Sequence, residues 1–165
     1  MIKKKICMLG SFAVGKTSLI QQYVHSIFSE KYHTTIGVKI DQKSVRLNDK
    51  EVNLLLWDIH GEDEFQKVKA SYLMGASGYL LVMDGTRKKT FDVARLLFEK
   101  AQQTIGDVPF IFVINKNDLE DEWDLDDEMM EKIKNTGWDI LITSAKTGEG
   151  VENAFRRLVK KMMGE

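Results

Sequence analysis

Gly10-Ser11-Phe12-Ala13-Val14-Gly15-Lys16-Thr17 is the stretch that decides the reading of this chain. It fits the pattern G-x-x-x-x-G-K-[ST], a loop whose backbone wraps phosphate groups. The apolar run Ile6-Cys7-Met8-Leu9 precedes it and reads as a buried strand. The amphipathic run Ser18-Leu19-Ile20-Gln21-Gln22-Tyr23-Val24 follows and reads as a helix. Strand, loop and helix in that order are the context the motif needs.

The chemistry of such a loop is anion binding. Several backbone N–H groups of the loop would point inward at a helix N-terminus, where the helix dipole adds positive potential. Gly10 and Gly15 permit backbone angles and close approaches that a side chain would block. Lys16 brings a formal charge to β- and γ-phosphates, and the Thr17 hydroxyl suits Mg²⁺, which prefers hard oxygen ligands.

Outward from the loop, strand-like and helix-like segments alternate, the pattern of a parallel sheet covered by helices. The first helix is expected over 16–27. Strands are expected near 37–47 and 51–58, joined by the polar turn Asn48-Asp49-Lys50 as an antiparallel hairpin. Further buried strands read over 77–84, 109–115 and 139–143, and helices near 65–74, 90–104, 126–136 and 149–162. No internal repeat or low-complexity segment interrupts the chain. At 165 residues it reads as one domain, 1–165, large enough for a core.

Composition narrows the class. Apolar residues make up 43% and charged residues 30%, a globular profile. A net charge of -1 offers no whole-molecule argument for nucleic acid. Cys7 is the only cysteine, so no intramolecular disulfide can form and a reducing compartment, the cytoplasm, is expected. Cys7 itself reads as a small buried hydrophobe. No stretch reaches membrane-span length, and the lysine-rich start runs straight into a strand, unlike a signal peptide. Residue 2 is Ile and the last residues lack cysteine, so no lipid anchor is expected.

Three later motifs carry chemistry. Asp58 ends the strand Val52-Asn53-Leu54-Leu55-Leu56-Trp57, where a carboxylate could hold the water shell of Mg²⁺; a turn-forming Asp is the plain alternative. Asn115-Lys116-Asn117-Asp118 follows the strand Phe110-Ile111-Phe112-Val113-Ile114. The Asp118 carboxylate offers two acceptors side by side, matching the ring N–H and exocyclic amine of guanine, a donor pair that adenine lacks. Ser144-Ala145-Lys146, after the last strand, could supply a backbone N–H to the guanine oxygen.

Taken in order, the phosphate loop, Thr35, Asp-x-x-Gly, Asn-Lys-x-Asp and Ser-Ala-Lys make the chain resemble the Ras-like small GTPases. The resemblance covers nearly the whole length. Thr34-Thr35-Ile36-Gly37-Val38 and Leu56-Trp57-Asp58 look Rab-like in particular. It implies a doubly wound, six-stranded, mostly parallel sheet with helices on both faces. It implies GTP and GDP as ligands with Mg²⁺. Thr17 and Thr35 would ligate the metal directly and Asp58 through water. Phe28 would pack edge-on against the guanine, Tyr32 would cover the γ-phosphate, and the Gly61 N–H would bind it. Asn115, Lys116 and Asp118 would hold the base, with Ser144, Ala145 and Lys146 completing the pocket. Residues 28–38 and 59–75 would be switches that order around the γ-phosphate and meet effector, exchange and activating proteins. A monomer is expected.

Four positions depart from the family. Gln normally follows Gly61 to orient the attacking water; here it is Glu62. A carboxylate can accept a hydrogen bond from water or act as a base, yet it brings negative charge toward the γ-phosphate; otherwise it simply faces solvent. Glu62, with Lys16 and Gly61, forms the catalytic set, and slow intrinsic hydrolysis is the expectation. Phe12 stands where the family has a small residue; its ring could obstruct an arginine delivered by another protein or pack on the second switch. Ile59 and His60 replace the usual Thr-Ala, and His60 reads as a solvated histidine or a group that titrates near the phosphates. His25 and His33 read as surface residues. No arginine is visibly placed to act in cis. The acidic run from Glu120 to Glu128 reads as a solvated loop and helix start, and Arg156, Arg157, Lys160 and Lys161 as a solvated helix face. A GTP-binding interaction module with little hydrolysis, and a phosphotransferase acting on a nucleotide, stay open as alternatives.

Overall fold

The computed structural model describes residues 2–29, 37–59 and 68–165. Its centre is the strand that feeds the phosphate loop, β1 (Ile2–Gly10), whose last five residues are all buried. Parallel strands flank it on both sides: β3 (Lys50–Ile59) on one, β4 (Gly78–Asp84) on the other. Beyond β4 lie β5 (Phe110–Asn115) and the short β6 (Ile140–Ile142), also parallel. Beyond β3 lies β2 (Val38–Leu47), the one antiparallel strand. The order β2-β3-β1-β4-β5-β6 makes a six-stranded sheet.

The hairpin joining β2 to β3 is tighter than the polar turn expected from sequence. Asn48 and Asp49 alone span it, both with positive φ (48° and 66°). Two left-handed central residues give the turn whose twist matches that of the strands.

Side chains alternate across the central strands, so each strand feeds two cores. Ile6 and Met8 of β1, Leu80 and Val82 of β4, and Ile111 and Val113 of β5 face helices α1 (Lys16–His25) and α5 (Val151–Met162). Cys7 and Leu9, Tyr79 and Leu81, and Phe112 and Ile114 face the other way. There they meet α2 (Ala70–Leu73), α3 (Lys89–Ile105) and α4 (Asp127–Lys134). Two apolar cores with a sheet between them account for the near-continuous apolar runs of β4 and β5.

Each helix forms for a local reason. On α5, Val151, Ala154, Phe155, Leu158 and Val159 recur at helical spacing and are buried, while Arg156, Lys160 and Lys161 face water. Asp126 caps α4, its carboxylate accepting from the Met129 N–H at 2.8 Å. Ser26, in the left-handed region, stops α1 at His25, two residues before the expected end. The second helix is shorter than expected from sequence: within the described part of 65–74 only Ala70–Leu73 is helical, and 65–67 lie outside the described residues. The acidic residues from Glu120 to Glu128 are exposed, as a solvated run should be. Cys7 is fully buried, and burial pushes its thiol up to about 12, so it behaves as a small hydrophobe.

Aromatic contacts hold the helices that carry the site. Tyr23 of α1 stacks on Phe155 of α5 with ring centroids 4.0 Å apart. Across the sheet, Trp138 meets Phe91, Phe98, Phe110 and Phe112. Because α1 starts at the phosphate loop, the Tyr23–Phe155 stack is what seats that loop's helix. Phe155→Ala should cost about 3–5 kcal/mol of stability. A lowered urea midpoint with an unchanged transition slope is the expected result.

Candidate functional site

The phosphate loop, Asp58, Asn115–Asp118 and Ser144–Lys146 lie at one edge of the sheet. Gly10 closes β1, Asp58 sits one residue from the end of β3, Asp84 closes β4 and Asn115 closes β5. The register aligns them: Met8 pairs with Asp58, Gly10 with Val82, and Asp84 with Asn115. β1 has β3 on one side and β4 on the other, and crevices at the carboxyl ends of such strands are where open α/β sheets bind ligands.

The loop itself is backbone-shaped. Ala13 (φ 61°) and Gly15 (φ 105°) are both left-handed, the alternation that turns successive N–H groups to one side and makes an anion-binding concavity. A side chain on Gly15 would collide with the Asn115 amide nitrogen at 2.2 Å, and one on Gly10 with the Val82 carbonyl at 2.5 Å. Glycine is therefore required at both places by contacts, and at Gly15 by angle as well.

Lys16 curls back under the loop. Its Nζ donates to the Gly10 carbonyl at 2.7 Å and the Ser11 carbonyl at 3.0 Å, and the residue is buried. Burial lowers its pKa to about 8, with Arg87 adding to the effect and Asp58 opposing it. A phosphate placed here would reverse that shift, because an anion favours the charged amine.

Thr17 and Asp58 meet: Thr17 Oγ1 donates to Asp58 Oδ2 at 2.5 Å. Two hard oxygen donors beside the phosphate loop fit Mg²⁺, which takes few protein ligands and keeps water and phosphate oxygens for the rest. Among the described residues no group of three or more His, Cys, Asp or Glu side chains is placed to hold a metal ion.

Asn115 ties the two halves of the site together. Its Nδ2 donates to the Val14 carbonyl at 2.9 Å, inside the phosphate loop. Its Oδ1 accepts from the Thr143 hydroxyl at 2.9 Å and the Ala145 N–H at 3.2 Å. Asp118 is exposed, with one oxygen held by the Ser144 hydroxyl at 2.8 Å. Lys116 adopts a left-handed backbone (φ 75°), and its carbonyl accepts from the Trp123 indole at 2.8 Å. Gly85 lets that indole in: a side chain there would meet the ring at 2.3 Å.

Asp84 has no counterpart in the sequence reading. It is buried and accepts from the Thr86 N–H (2.8 Å), the Thr86 hydroxyl (2.7 Å), Arg87 Nε (3.1 Å) and Lys116 Nζ (2.9 Å). Arg87 Nη2 in turn donates to the Phe12 carbonyl at 2.7 Å. An arginine thus touches the crest of the phosphate loop from within the same chain, where the sequence showed no candidate. The usable signal was position: a carboxylate ending the strand beside β1, with cations close behind it.

Phe28 is 38% exposed, beyond the end of α1. Ser18 continues that helix, and Lys146 is exposed beside Ala145. Tyr32, His33, Thr35, His60, Gly61 and Glu62 lie outside the described residues. Ile59 is buried in the sheet and His25 is exposed.

The comparison with known proteins adds the family. The model of the Ras family matches residues 5–164. This chain belongs to the Ras family. The GTP-binding protein ypt2 of Schizosaccharomyces pombe is 31% identical over 160 residues, which make up 96% of this chain and 80% of that protein. The phosphate loop, Asp58, Asn115–Asp118 and Ser144–Lys146 of this Ras-family chain all fall inside the matched span. Among its described residues no helix is long and apolar enough to cross a membrane.

The Asp84 cluster of this Ras-family chain has a pH signature. Burial opposes the charge on Asp84, but hydrogen bonds from Lys116 and Thr86 more than offset it and hold the carboxyl below the usual carboxylate range. A folded value below the unfolded one gives stability that is present above the unfolded value and lost as pH falls through the folded one. Asp84→Asn should therefore melt lower than the parent at neutral pH. The gap should close as pH drops through the carboxylate range, which melting curves over that range would show.

Proposed function

We propose that this protein is a Mg²⁺-dependent GTP/GDP switch that binds guanine nucleotides and hydrolyses GTP to GDP and phosphate. The observation that carries the reading is Asn115. One buried amide joins the phosphate loop, through Val14, to the base-side loop, through Ala145 and Thr143. A ligand with a phosphate tail at one end and a base at the other suits two loops built at this fixed spacing.

The residues take these roles in the proposal. Backbone N–H groups from Ala13 to Ser18 bind the β-phosphate, and Lys16 leaves its carbonyl partners to meet the β- and γ-oxygens. Thr17, Thr35 and, through water, Asp58 would hold Mg²⁺, which supplies charge neutralisation across the phosphates. Asp118 accepts the two guanine donors, with Ser144 steadying its carboxylate. Ala145 offers its N–H side and Lys146 its stem to the base, Phe28 packs at the base edge, and Asn115 and Lys116 fix the pocket. Tyr32 covers the γ-phosphate and the Gly61 N–H binds it. Glu62 positions the attacking water for in-line displacement, at a slow intrinsic rate.

Effector, exchange and activating proteins would bind across residues 28–38 and 59–75. Exposed apolar groups in or beside these segments support a partner face: Met74 (58% exposed) within the second, and Ile27 (54%) and Ile40 (48%) flanking the first, with Ile40 opposite Trp57 in the β2–β3 ladder.

The decisive experiment identifies the nucleotide that the purified protein carries. GDP or GTP is expected; an adenine nucleotide, or none under any condition, defeats the reading. Asp118→Asn should weaken GDP binding by about 100-fold or more and favour xanthine nucleotides, whose exocyclic oxygen needs a donor. Stripping Mg²⁺ with EDTA should speed GDP release about tenfold or more, measured with a fluorescent GDP.

A further inference from the structure

Six residues from three segments meet between the two loops of the site. Arg87, three residues beyond the end of β4, sends Nε to Asp84 Oδ2 at 3.1 Å and Nη2 to the Phe12 carbonyl at 2.7 Å. The same Asp84 oxygen accepts Lys116 Nζ at 2.9 Å. The other Asp84 oxygen takes both the N–H and the hydroxyl of Thr86, at 2.8 and 2.7 Å. Thr90 closes the turn, its hydroxyl accepting from the Asp84 N–H at 2.9 Å. The carboxylate is thus immobilised, and Arg87 is held at one end by it while gripping the phosphate loop with the other.

We propose that Arg87 is a positioning residue built into the chain: it clamps the crest of the phosphate loop through the Phe12 carbonyl and couples that loop to Lys116 of the base-side loop through Asp84. The proposal deepens the GTP-switch reading and rests on it.

The two-point grip is what the chemistry of arginine provides. A guanidinium presents N–H groups in a rigid fork, so it can hold a carboxylate and a carbonyl at once. A lysine ammonium is a single point on a flexible stem and cannot keep both distances. The carbonyl it holds belongs to the residue before Ala13, whose left-handed backbone begins the turn of the loop. Fixing Phe12 therefore fixes the direction in which the following N–H groups point. The clamp also brings a second formal positive charge near Lys16, consistent with Arg87 being one of the groups that depress the Lys16 amine.

The test uses Arg87→Ala and Arg87→Lys, with Lys88→Ala as an exposed neighbouring control. Release of fluorescent GDP and single-turnover GTP hydrolysis are measured on the Mg²⁺-loaded proteins, with melting temperature alongside. Arg87→Ala should release GDP about tenfold faster and hydrolyse GTP about tenfold more slowly, since both depend on loop geometry. Arg87→Lys should lie nearer to the alanine variant than to the parent, and Lys88→Ala should match the parent. Release and hydrolysis within about twofold of the parent in Arg87→Ala overturn the proposal. So does a lower melting temperature with both rates unchanged, which would mark a merely structural contact. If Arg87→Ala does not fold, Arg87→Lys decides: parental release and hydrolysis overturn the clamp. A parent protein that binds no guanine nucleotide would instead defeat the GTP-switch reading itself.

Discussion

The side-chain amide of Asn115 is satisfied on both ends by groups that belong to different loops. Buried at 1% exposure, it cannot fall back on water. An unpaired buried amide is expensive, so Val14, Thr143 and Ala145 must keep their places for Asn115 to keep its own. This constraint also explains Gly15 from an unexpected direction. Its hydrogen faces the Asn115 amide at a distance no methyl could share. The glycine of the Gly-Lys-Thr sequence is therefore required by the far side of the loop as well as by the cavity it encloses. Phosphate loop and base-side loop are thereby tied to each other through Asn115.

Charge follows the same geometry. The whole chain is nearly neutral, at -1. Among the described residues around the phosphate loop, Lys16, Arg87 and Lys116 gather beside Asp58 and Asp84 in a partly buried place, where screening by salt is weak. Backbone N–H groups at the start of α1 add positive potential there. Burial is the main reason the Lys16 amine is depressed, with Asp58 opposing the shift and Arg87 adding to it.

Much of this was legible in the sequence because it is local. The strands announce themselves by apolar runs that end in Asp58, Asp84 or Asn115, and α5 by its helical spacing of Val151, Ala154, Phe155 and Leu158. The phosphate loop and the Asn-Lys-x-Asp motif are short words with fixed meanings. What stayed hidden is non-local. Arg87 and Phe12 are 75 residues apart, and Asn115 and Val14 are 101 apart. No spacing rule connects such pairs; only the order of strands in the sheet does. Trp123 was hidden for a related reason: its place over the Lys116 backbone depends on the missing side chain of Gly85, which reads in sequence as an ordinary turn glycine.

The hairpin of β2 and β3 sets how far the proposed ligands of the γ-phosphate can stray. Its ladder closes with Val38 opposite Ile59, beside Asp58. Thr35 is three residues before Val38, and Gly61 two residues after Ile59. Consecutive Cα atoms are 3.8 Å apart, so Thr35 lies within about 11 Å of Val38 and Gly61 within about 8 Å of Ile59 in any conformation. Both are tethered to one corner of the sheet, where Asp58 already meets Thr17. The Val38–Ile59 pair is thus the common anchor from which the two proposed switch segments leave the sheet, so strand register alone ties both to the strand that carries Asp58.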